Sequence, residues 1–111
     1  MMFRLVLLNA FPINAFTYDS FTVKIEKSDF TEMKFDELRC GDIVCFIRHP
    51  ATVSLINQKL GTQLQPNPGL YKHDPRDIIY IVSLKSPERG KEVTAISQSD
   101  VDIWKVEVIK T

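Results

Sequence analysis

Three short apolar runs constrain this chain more than any other feature of its sequence: LVLL near the start, IVCFI in the middle and IIYIV in the second half. Each run is apolar at nearly every position, which is typical of strands that are covered on both faces. The segment FTVKIEK instead alternates apolar and polar residues, which predicts a strand with one wet face, nearer the edge of a sheet. DIWKVEVIK predicts a final strand. Together these segments predict a mixed sheet of about five strands.

The main helix is predicted directly after the second apolar run. In RHPATVSLINQKLG, Pro50 suits the first helical position, apolar residues recur with helical spacing, and Gly61 supplies the stop. A shorter helix is indicated within residues 28–38, with Asp29 or Thr31 as its cap. Helices between apolar strands are the pattern of an α/β fold.

The length of 111 residues is that of one domain with one core, so we expect a single α/β domain over residues 1–111. The stretch 62–76 is interrupted by Pro and Gly, which predicts a loop. A sheet of this size that is covered on one side often completes its core by pairing with a second copy. We therefore expect a homodimer.

The charge balance narrows the class of ligand. Fourteen basic and fourteen acidic residues give a net charge of zero, so no global field holds a long nucleic acid. A local cluster could still bind a small anion. Of the two cysteines, Cys40 and Cys45, the second lies in an apolar run, which indicates a buried thiol in a reducing compartment. The apolar stretch 5–8 is too short to span a membrane, so the protein is expected in the cytoplasm without a membrane partner.

The first apolar run ends in NAFPIN, residues 9–14, which contains two amides. An asparagine at a strand end offers donors and an acceptor without charge, which suits the phosphate and ribose oxygens of a nucleotide. Asn and Pro are also common in turns, and plain turn chemistry is the more frequent explanation of such residues. Asn9 and Asn14 are therefore candidate substrate-binding residues whose role the residues alone leave open.

His49 lies where the second apolar run meets the predicted helix. If Pro50 opens that helix, His49 is at its cap, and the N–H groups of Ala51 and Thr52 point out of the N-terminus. These groups and the helix dipole form an anion-binding site that needs no net positive charge. An imidazole beside a bound phosphodiester is suited to protonate a leaving oxygen, which is worth about 10²- to 10⁴-fold in rate. From the residues alone, a general acid and an inert cap are equally supported.

The remaining polar residues exclude several classes of enzyme. His73 lies in the predicted loop and is expected to be a solvated surface residue. The His and Cys residues lack the short pair spacings of zinc sites, and there is no phosphate-binding loop, dinucleotide fingerprint or G-x-S-x-G motif. No metal or cofactor is therefore expected. Lys85 and Arg89 follow the third apolar run, where they form either a solvated turn or the cationic wall of a pocket with Arg48.

Two segments resemble a known family. LNAFPIN near the start and RHPATVSLINQKLGTQLQPN in the middle are similar to the signature stretches of the viral and bacterial ring nucleases that degrade cyclic tetra-adenylate, the second messenger of type III CRISPR immunity. The similarity is most specific at the His-x-x-Thr helix start and the Leu-x-Asn and Leu-Gly-Thr that follow, and it continues through IIYIVSL. Viral members act as anti-CRISPR proteins, so the resemblance implies an enzyme that switches off type III CRISPR signalling.

The resemblance implies a metal-independent nuclease in which two subunits of a homodimer enclose one cyclic oligoadenylate ring. The ribose 2′-hydroxyl attacks the adjacent phosphorus, and a His protonates the departing 5′-oxygen. By position, His49 matches the general acid, and Asn9 and Asn14 match amides that hold the substrate. Thr52 matches a helix-start hydroxyl near a phosphate. For a viral protein the expected location is the host cytoplasm.

Three positions depart from the family pattern. Pro12 and Ala51 stand where family members commonly carry Ser, and Arg48 stands where Gly is usual; we count Pro12 and Arg48 among the substrate-binding positions. The pocket arginine of the family matches Arg89 or Lys85, and we prefer Arg89 because a guanidinium binds phosphate bidentately. With two hydroxyls replaced, the alternative function is a protein that sequesters the ring without cutting it. A third alternative is an interaction or DNA-associated protein with a vestigial pocket, and the zero net charge argues against DNA.

Overall fold

The computed structural model describes residues 3–85 and 96–110. Within these residues the chain forms five strands and two α-helices, which are β1 (Arg4–Leu8), β2 (Phe21–Ser28), α1 (Phe30–Arg39), β3 (Asp42–Cys45), α2 (Pro50–Leu60), β4 (Asp77–Leu84) and β5 (Val101–Lys110). Single turns of 3₁₀-helix lie at Ile13–Ala15 and Gln98–Asp100. Neither α-helix of this described part is long and apolar enough to cross a membrane.

The five strands of the described residues form one mixed sheet in the order β2-β5-β4-β1-β3. β1 is parallel to both of its neighbours, β3 and β4, whereas β5 is antiparallel to both β4 and β2. The alternating segment forms the edge strand β2, as its one-sided pattern predicts. The predicted mixed α/β sheet is therefore confirmed.

The second apolar run forms only a short strand. β3 has four residues and lies at the edge of the sheet, where it pairs with β1 alone. Its end is still shielded, because Cys45 and the following Ile47 are buried. The loop over residues 62–76 lies alongside this end, and the Asn67 N–H donates to the Ile47 carbonyl at 2.8 Å. The loop therefore shields the end of this edge strand.

Both faces of the sheet carry a buried core, because alternate residues of each strand point to opposite faces. One face is covered by α1 and α2, and its core includes Leu5, Leu7, Met33, Val53, Ile56 and Tyr80. The other face is covered by the segment between β1 and β2 and by the loop after α2, and its core includes Val6, Leu8, Phe16, Tyr71, Ile79 and Ile81. The expectation of a sheet covered on one side is wrong. Burial of the sheet is therefore not a reason to expect a homodimer.

The two helices are fixed at their ends by polar contacts. Asp29, and not Thr31, caps α1, since its carboxylate accepts a hydrogen bond from the Glu32 N–H at 2.8 Å. The Lys34 ammonium, on α1, donates a hydrogen bond to the carbonyl of Leu60, the last residue of α2, at 2.7 Å. This bond ties α1 to the C-terminal end of α2, where unpaired carbonyls favour a cation.

A buried carboxylate joins α1 to the sheet. Asp36 is 2% exposed and accepts a hydrogen bond from the Tyr80 hydroxyl at 2.6 Å, and the Lys105 ammonium lies 2.9 Å from the same carboxylate. Burial alone would raise the pKa of Asp36, but the hydrogen bonds from Lys105 and Tyr80 outweigh it and lower that pKa. Burial also raises the pKa of the Tyr80 hydroxyl, as does its bond to Asp36. The carboxylate is therefore held ionised inside the core.

The cysteines are free thiols. Cys45 is buried at 7% exposure, as predicted, and burial raises the pKa of its thiol. Cys40 is half-buried just after α1, and burial raises the pKa of its thiol as well. Raised thiol pKa values keep both groups protonated and unreactive near neutral pH.

Candidate functional site at the carboxyl ends of β1 and β3

The carboxyl ends of the parallel strands β1 and β3 lie side by side. Leu7 pairs with Cys45, and the Phe46 N–H donates to the Leu7 carbonyl at 2.9 Å, so the two chains stay adjacent where β3 ends. Asn9 is the first residue after β1, and His49 follows shortly after Phe46. Because open α/β sheets bind ligands outside the carboxyl ends of their strands, the surface beyond the ends of β1 and β3 is the candidate site.

His49 is the N-cap of α2, and its ring makes the cap. The Thr52 N–H donates to His49 Nδ1 at 3.3 Å, and Nδ1 lies 3.1 Å from Thr52 Oγ1. Pro50 occupies the first helical position, and the Val53 N–H donates to the His49 carbonyl at 3.1 Å. Because a backbone N–H can only donate, Nδ1 carries a lone pair, and the neutral ring holds its proton on Nε2. The imidazole therefore has Nε2–H available for a ligand.

The start of α2 has fewer backbone N–H groups free to bind a ligand than the sequence predicts. The Thr52 N–H is taken by the His49 ring, and Thr52 is only 2% exposed. The expectation that the N–H groups of both Ala51 and Thr52 are free to bind an anion is therefore wrong for Thr52. The physical reason is that the cap side chain is itself an acceptor, so the imidazole satisfies a donor that would otherwise meet a ligand. Ala51 is also buried, at 7% exposure.

The other predicted substrate-binding residues near these strand ends differ in their exposure to solvent. Asn9, Asn14 and Arg48 are exposed, and Asn14 lies within the 3₁₀ turn that follows β1. Pro12 is half-buried at the start of that turn, and its carbonyl accepts a hydrogen bond from the Ala15 N–H at 2.9 Å. The two amides and the guanidinium are therefore accessible to a ligand, whereas Pro12 shapes the backbone of the turn.

Aromatic stacking anchors the segment that carries the two amides. Phe11 stacks on Phe16 with ring centroids 5.5 Å apart, and Phe16 stacks on Phe21 of β2 at 4.9 Å. Phe16 is buried in the core of this face of the sheet. The turn between Asn9 and Asn14 is therefore held against the sheet by these stacked aromatic rings.

Of the two predicted pocket cations, Lys85 lies within the described residues. Lys85 is exposed just after β4, and β1 ends alongside Ile81, so Lys85 lies about 13 Å further along the strand direction at ~3.3 Å per residue. Its ammonium interacts electrostatically with Asp100 and Asp102, and its N–H donates to the Asp100 carbonyl at 2.9 Å. Arg89 lies outside the described residues, so the choice of Arg89 over Lys85 as the pocket cation stays a prediction.

Asn67, a residue that the sequence interpretation missed, holds the segment that carries His49. Its N–H donates to the Ile47 carbonyl at 2.8 Å and its Nδ2 donates to the Cys45 carbonyl at 3.0 Å. Its Oδ1 accepts from the Gly69 N–H at 2.8 Å, which forms an Asx turn. An Asn followed by Pro and Gly is a turn signal, and this signal could have pointed to Asn67.

Asn57 connects the same loop to α2. Its Oδ1 accepts from the Leu64 N–H and from the Thr62 hydroxyl, both at 2.8 Å, and its Nδ2 donates to the Leu64 carbonyl at 2.9 Å. Gly61 has a φ of 71°, which lets the chain turn back along the helix. The Leu-x-Asn and Leu-Gly-Thr motifs therefore support the loop that in turn holds the His49 segment.

We expect the substitution Asn57→Ala to lower the free energy of unfolding by about 1–3 kcal/mol, because two part-buried backbone groups of Leu64 lose their partner. Denaturant unfolding measures this change. Gln58→Ala is the matched control, since Gln58 is exposed on the same helix and its truncation is expected to cost less than about 0.5 kcal/mol. Equal losses for the two variants would contradict the supporting role of Asn57.

His73 is not the solvated surface residue that its sequence context predicts. It is half-buried, and its ring centroid lies 4.6 Å from that of Phe16 and 5.9 Å from that of Tyr18. Burial lowers the pKa of His73, against the opposing effects of Asp77 and Asp74. Phe16 and Tyr18 come from a distant part of the chain, so their contact with His73 depends on the tertiary fold.

A second polar cluster lies at the opposite ends of the strands, where β1 and β4 begin. The Asp77 carboxylate is fully buried and accepts from Arg4 Nε and Nη2, both at 2.7 Å, from the Asp74 N–H at 3.1 Å and from the Tyr71 hydroxyl. Since Tyr71 uses its proton on Asp77, His73 Nδ1–H donates to the Tyr71 oxygen at 3.1 Å. Burial, and then the bond to Asp77, raise the pKa of Tyr71. A cleft of about 590 Å³ beside this cluster is lined by His73, Asp77 and part of β5.

Comparison with known proteins agrees with this architecture. A solved structure of B116 of Sulfolobus turreted icosahedral virus (STIV) is similar to the chain at 26% sequence identity with a TM-score of 0.63, over 93% of this chain and 97% of that one. No curated protein sequence matches the chain. A family model described as STIV B116-like matches residues 5–108. Because that match spans nearly the whole sequence, the chain belongs to the STIV B116-like family, which is named for a viral protein.

Proposed function

We propose that this protein is a metal-independent ring nuclease that cleaves cyclic oligoadenylate, with cyclic tetra-adenylate as its main substrate, and so switches off type III CRISPR signalling. The observation that carries the proposal is the His49 imidazole at the start of α2, whose Nδ1 is held by Thr52 and whose Nε2 remains for a ligand. The similarity of LNAFPIN and RHPATVSLINQKLGTQLQPN to the ring nucleases supports the choice of substrate. Membership of a family named for a viral protein supports the host cytoplasm as its location.

In the proposed reaction, a ribose 2′-hydroxyl of the ring attacks the adjacent phosphorus, and its proton passes to solvent water. The bond from phosphorus to the 5′-oxygen breaks, and protonated His49 gives its Nε2 proton to that leaving oxygen. The products are a 2′,3′-cyclic phosphate and a 5′-hydroxyl, so no water is consumed. Because the nucleophile belongs to the substrate, positioning and protonation of the leaving group account for the catalysis. Asn9 and Asn14 would bind ribose or phosphate oxygens, and Arg48 would bind a phosphate.

A second copy of the chain completes the proposed site. Asn9, Asn14 and Arg48 are exposed on a single copy, so one copy offers the ring an open surface. A two-fold homodimer would place two such surfaces against one ring and exclude water from it. Arg89, or Lys85, would add the remaining positive charge.

Sequestration of the ring without cleavage is the second candidate function. Proline and alanine occupy positions 12 and 51, so neither supplies a hydroxyl to the site. The hydroxyl of Thr52 lies against the His49 ring, and Thr52 is buried. A site with few hydroxyl contacts could bind the ring through its amides and cations alone.

The test is incubation of the purified protein with labelled cyclic tetra-adenylate in the presence of EDTA. We expect a linear product that ends in a 2′,3′-cyclic phosphate, and size-exclusion chromatography should show a dimer. Binding of the ring without any linear product at protein excess would favour sequestration. The absence of both binding and cleavage would refute both functions.

A further inference from the structure

The hydroxyl of Thr52 lies against the His49 imidazole and away from solvent. Thr52 Oγ1 is 3.1 Å from His49 Nδ1, and Thr52 is 2% exposed. The Thr52 N–H also donates to Nδ1, at 3.3 Å. One residue therefore contacts the same ring nitrogen twice, through its backbone and through its side chain.

We infer that Thr52 is a positioning residue that holds the His49 imidazole in one orientation for proton donation, rather than a residue that binds phosphate. This inference rests on the proposed nuclease function. When His49 is neutral, Nδ1 is an acceptor, and the Thr52 hydroxyl donates to it. When His49 is protonated, Nδ1 carries a proton. The Thr52 N–H cannot accept a hydrogen bond from this Nδ1–H, whereas Thr52 Oγ1 can. The hydroxyl therefore bonds to both forms of the ring.

This double role explains how a histidine can be both helix cap and acid. An imidazole held only by the backbone N–H would lose its partner on protonation and leave a part-buried Nδ1–H beside a donor. With the hydroxyl present, the ring keeps its orientation through the proton transfer, and Nε2 stays available to the leaving oxygen. A pre-oriented acid is the arrangement that catalysis at a fixed leaving group requires.

The substitutions Thr52→Val and Thr52→Ser test the inference. Valine keeps the size and the backbone N–H of threonine but removes the hydroxyl, and serine keeps the hydroxyl. We expect Thr52→Val to lower kcat for ring cleavage about tenfold, with the Kd for the ring unchanged. This is the lower end of the loss seen when a metal-binding histidine loses the partner that orients it. Thr52→Ser should retain most of the wild-type kcat. Thermal unfolding of each variant checks that it is folded, and Thr52→Ala replaces Thr52→Val if the valine variant is not.

A second readout does not depend on cleavage. The ¹⁵N resonance of an imidazole nitrogen responds to the hydrogen bonds that it accepts, so His49 Nδ1 in Thr52→Val should shift toward the position of an unbonded nitrogen, and in Thr52→Ser it should not. An unchanged Nδ1 resonance, or a wild-type kcat in Thr52→Val, would overturn the inference. Weaker ring binding with an unchanged kcat would assign Thr52 to the phosphate instead. If the wild-type protein does not cleave the ring, the proposed function fails, and the ¹⁵N resonance still decides whether Thr52 orients His49.

Discussion

Replacing His49 by asparagine is expected to lower the rate of ring cleavage by about 10²- to 10⁴-fold, the usual contribution of a general acid, and to leave ring binding intact. Asparagine is among the best N-cap residues, so the variant keeps an acceptor for the first turn of α2 while it loses the proton donor. Single-turnover cleavage of labelled ring and a calorimetric titration measure the two quantities separately.

Two further variants sharpen this result. His49→Ala removes both the acid and the cap, so it should match His49→Asn in cleavage but be about 1 kcal/mol less stable. Gln58→Ala, exposed on the same helix, should cleave at the wild-type rate. A wild-type cleavage rate in His49→Asn would show that the cap geometry matters and the imidazole does not, and the proposed mechanism would then be wrong.

Replacing Asp77 by alanine is expected to lower the free energy of unfolding by about 3 kcal/mol. Its fully buried carboxylate is the common acceptor for the Arg4 guanidinium, the Tyr71 hydroxyl and a backbone N–H. Removing one partner of a buried ion pair typically costs about 3–5 kcal/mol. We expect the lower end of that range because the Arg4 side chain is 28% exposed, and water can partly solvate its guanidinium.

Denaturant unfolding measures the effect, with Asp19→Ala as the control because Asp19 is an exposed carboxylate in a loop. The control should change stability by less than about 0.5 kcal/mol. Since Asp77 lies at the start of β4, at the ends of the strands away from His49, the folded Asp77→Ala protein should still bind the ring at low temperature. A loss below about 1 kcal/mol would mean that the guanidinium and the hydroxyl find other partners.

The secondary structure of this chain could be predicted largely from local signals. The apolar runs became β1, β3 and β4, the alternating segment became the edge strand β2, and α2 runs from Pro50 to a stop at Gly61. These features depend on neighbours in the sequence, such as the fixed φ of proline or the left-handed conformation that suits glycine. The placement of His49 at the cap of α2 follows from the same local rules.

Features that depend on distant contacts could not be predicted in this way. His73 was expected in solvent, but it packs against Phe16 and Tyr18, which reach it only when the segment before β2 folds over the sheet. Asp77 was not noticed as a buried carboxylate, since its partner Arg4 is 73 residues away. Asn67 reads as a turn residue, and only the fold brings it to the carbonyls of Cys45 and Ile47.

By itself the sequence determined the types and bounds of most elements and the position of His49 at a helix start, because periodicity, caps and turn residues act over a few positions. Only the tertiary structure decided the order of the strands, the edge position of β3 and the covering of both faces of the sheet. It also decided that the Thr52 hydroxyl meets the His49 ring and not solvent. These outcomes depend on which surfaces pack together and which polar groups lose water, and a linear pattern does not specify either.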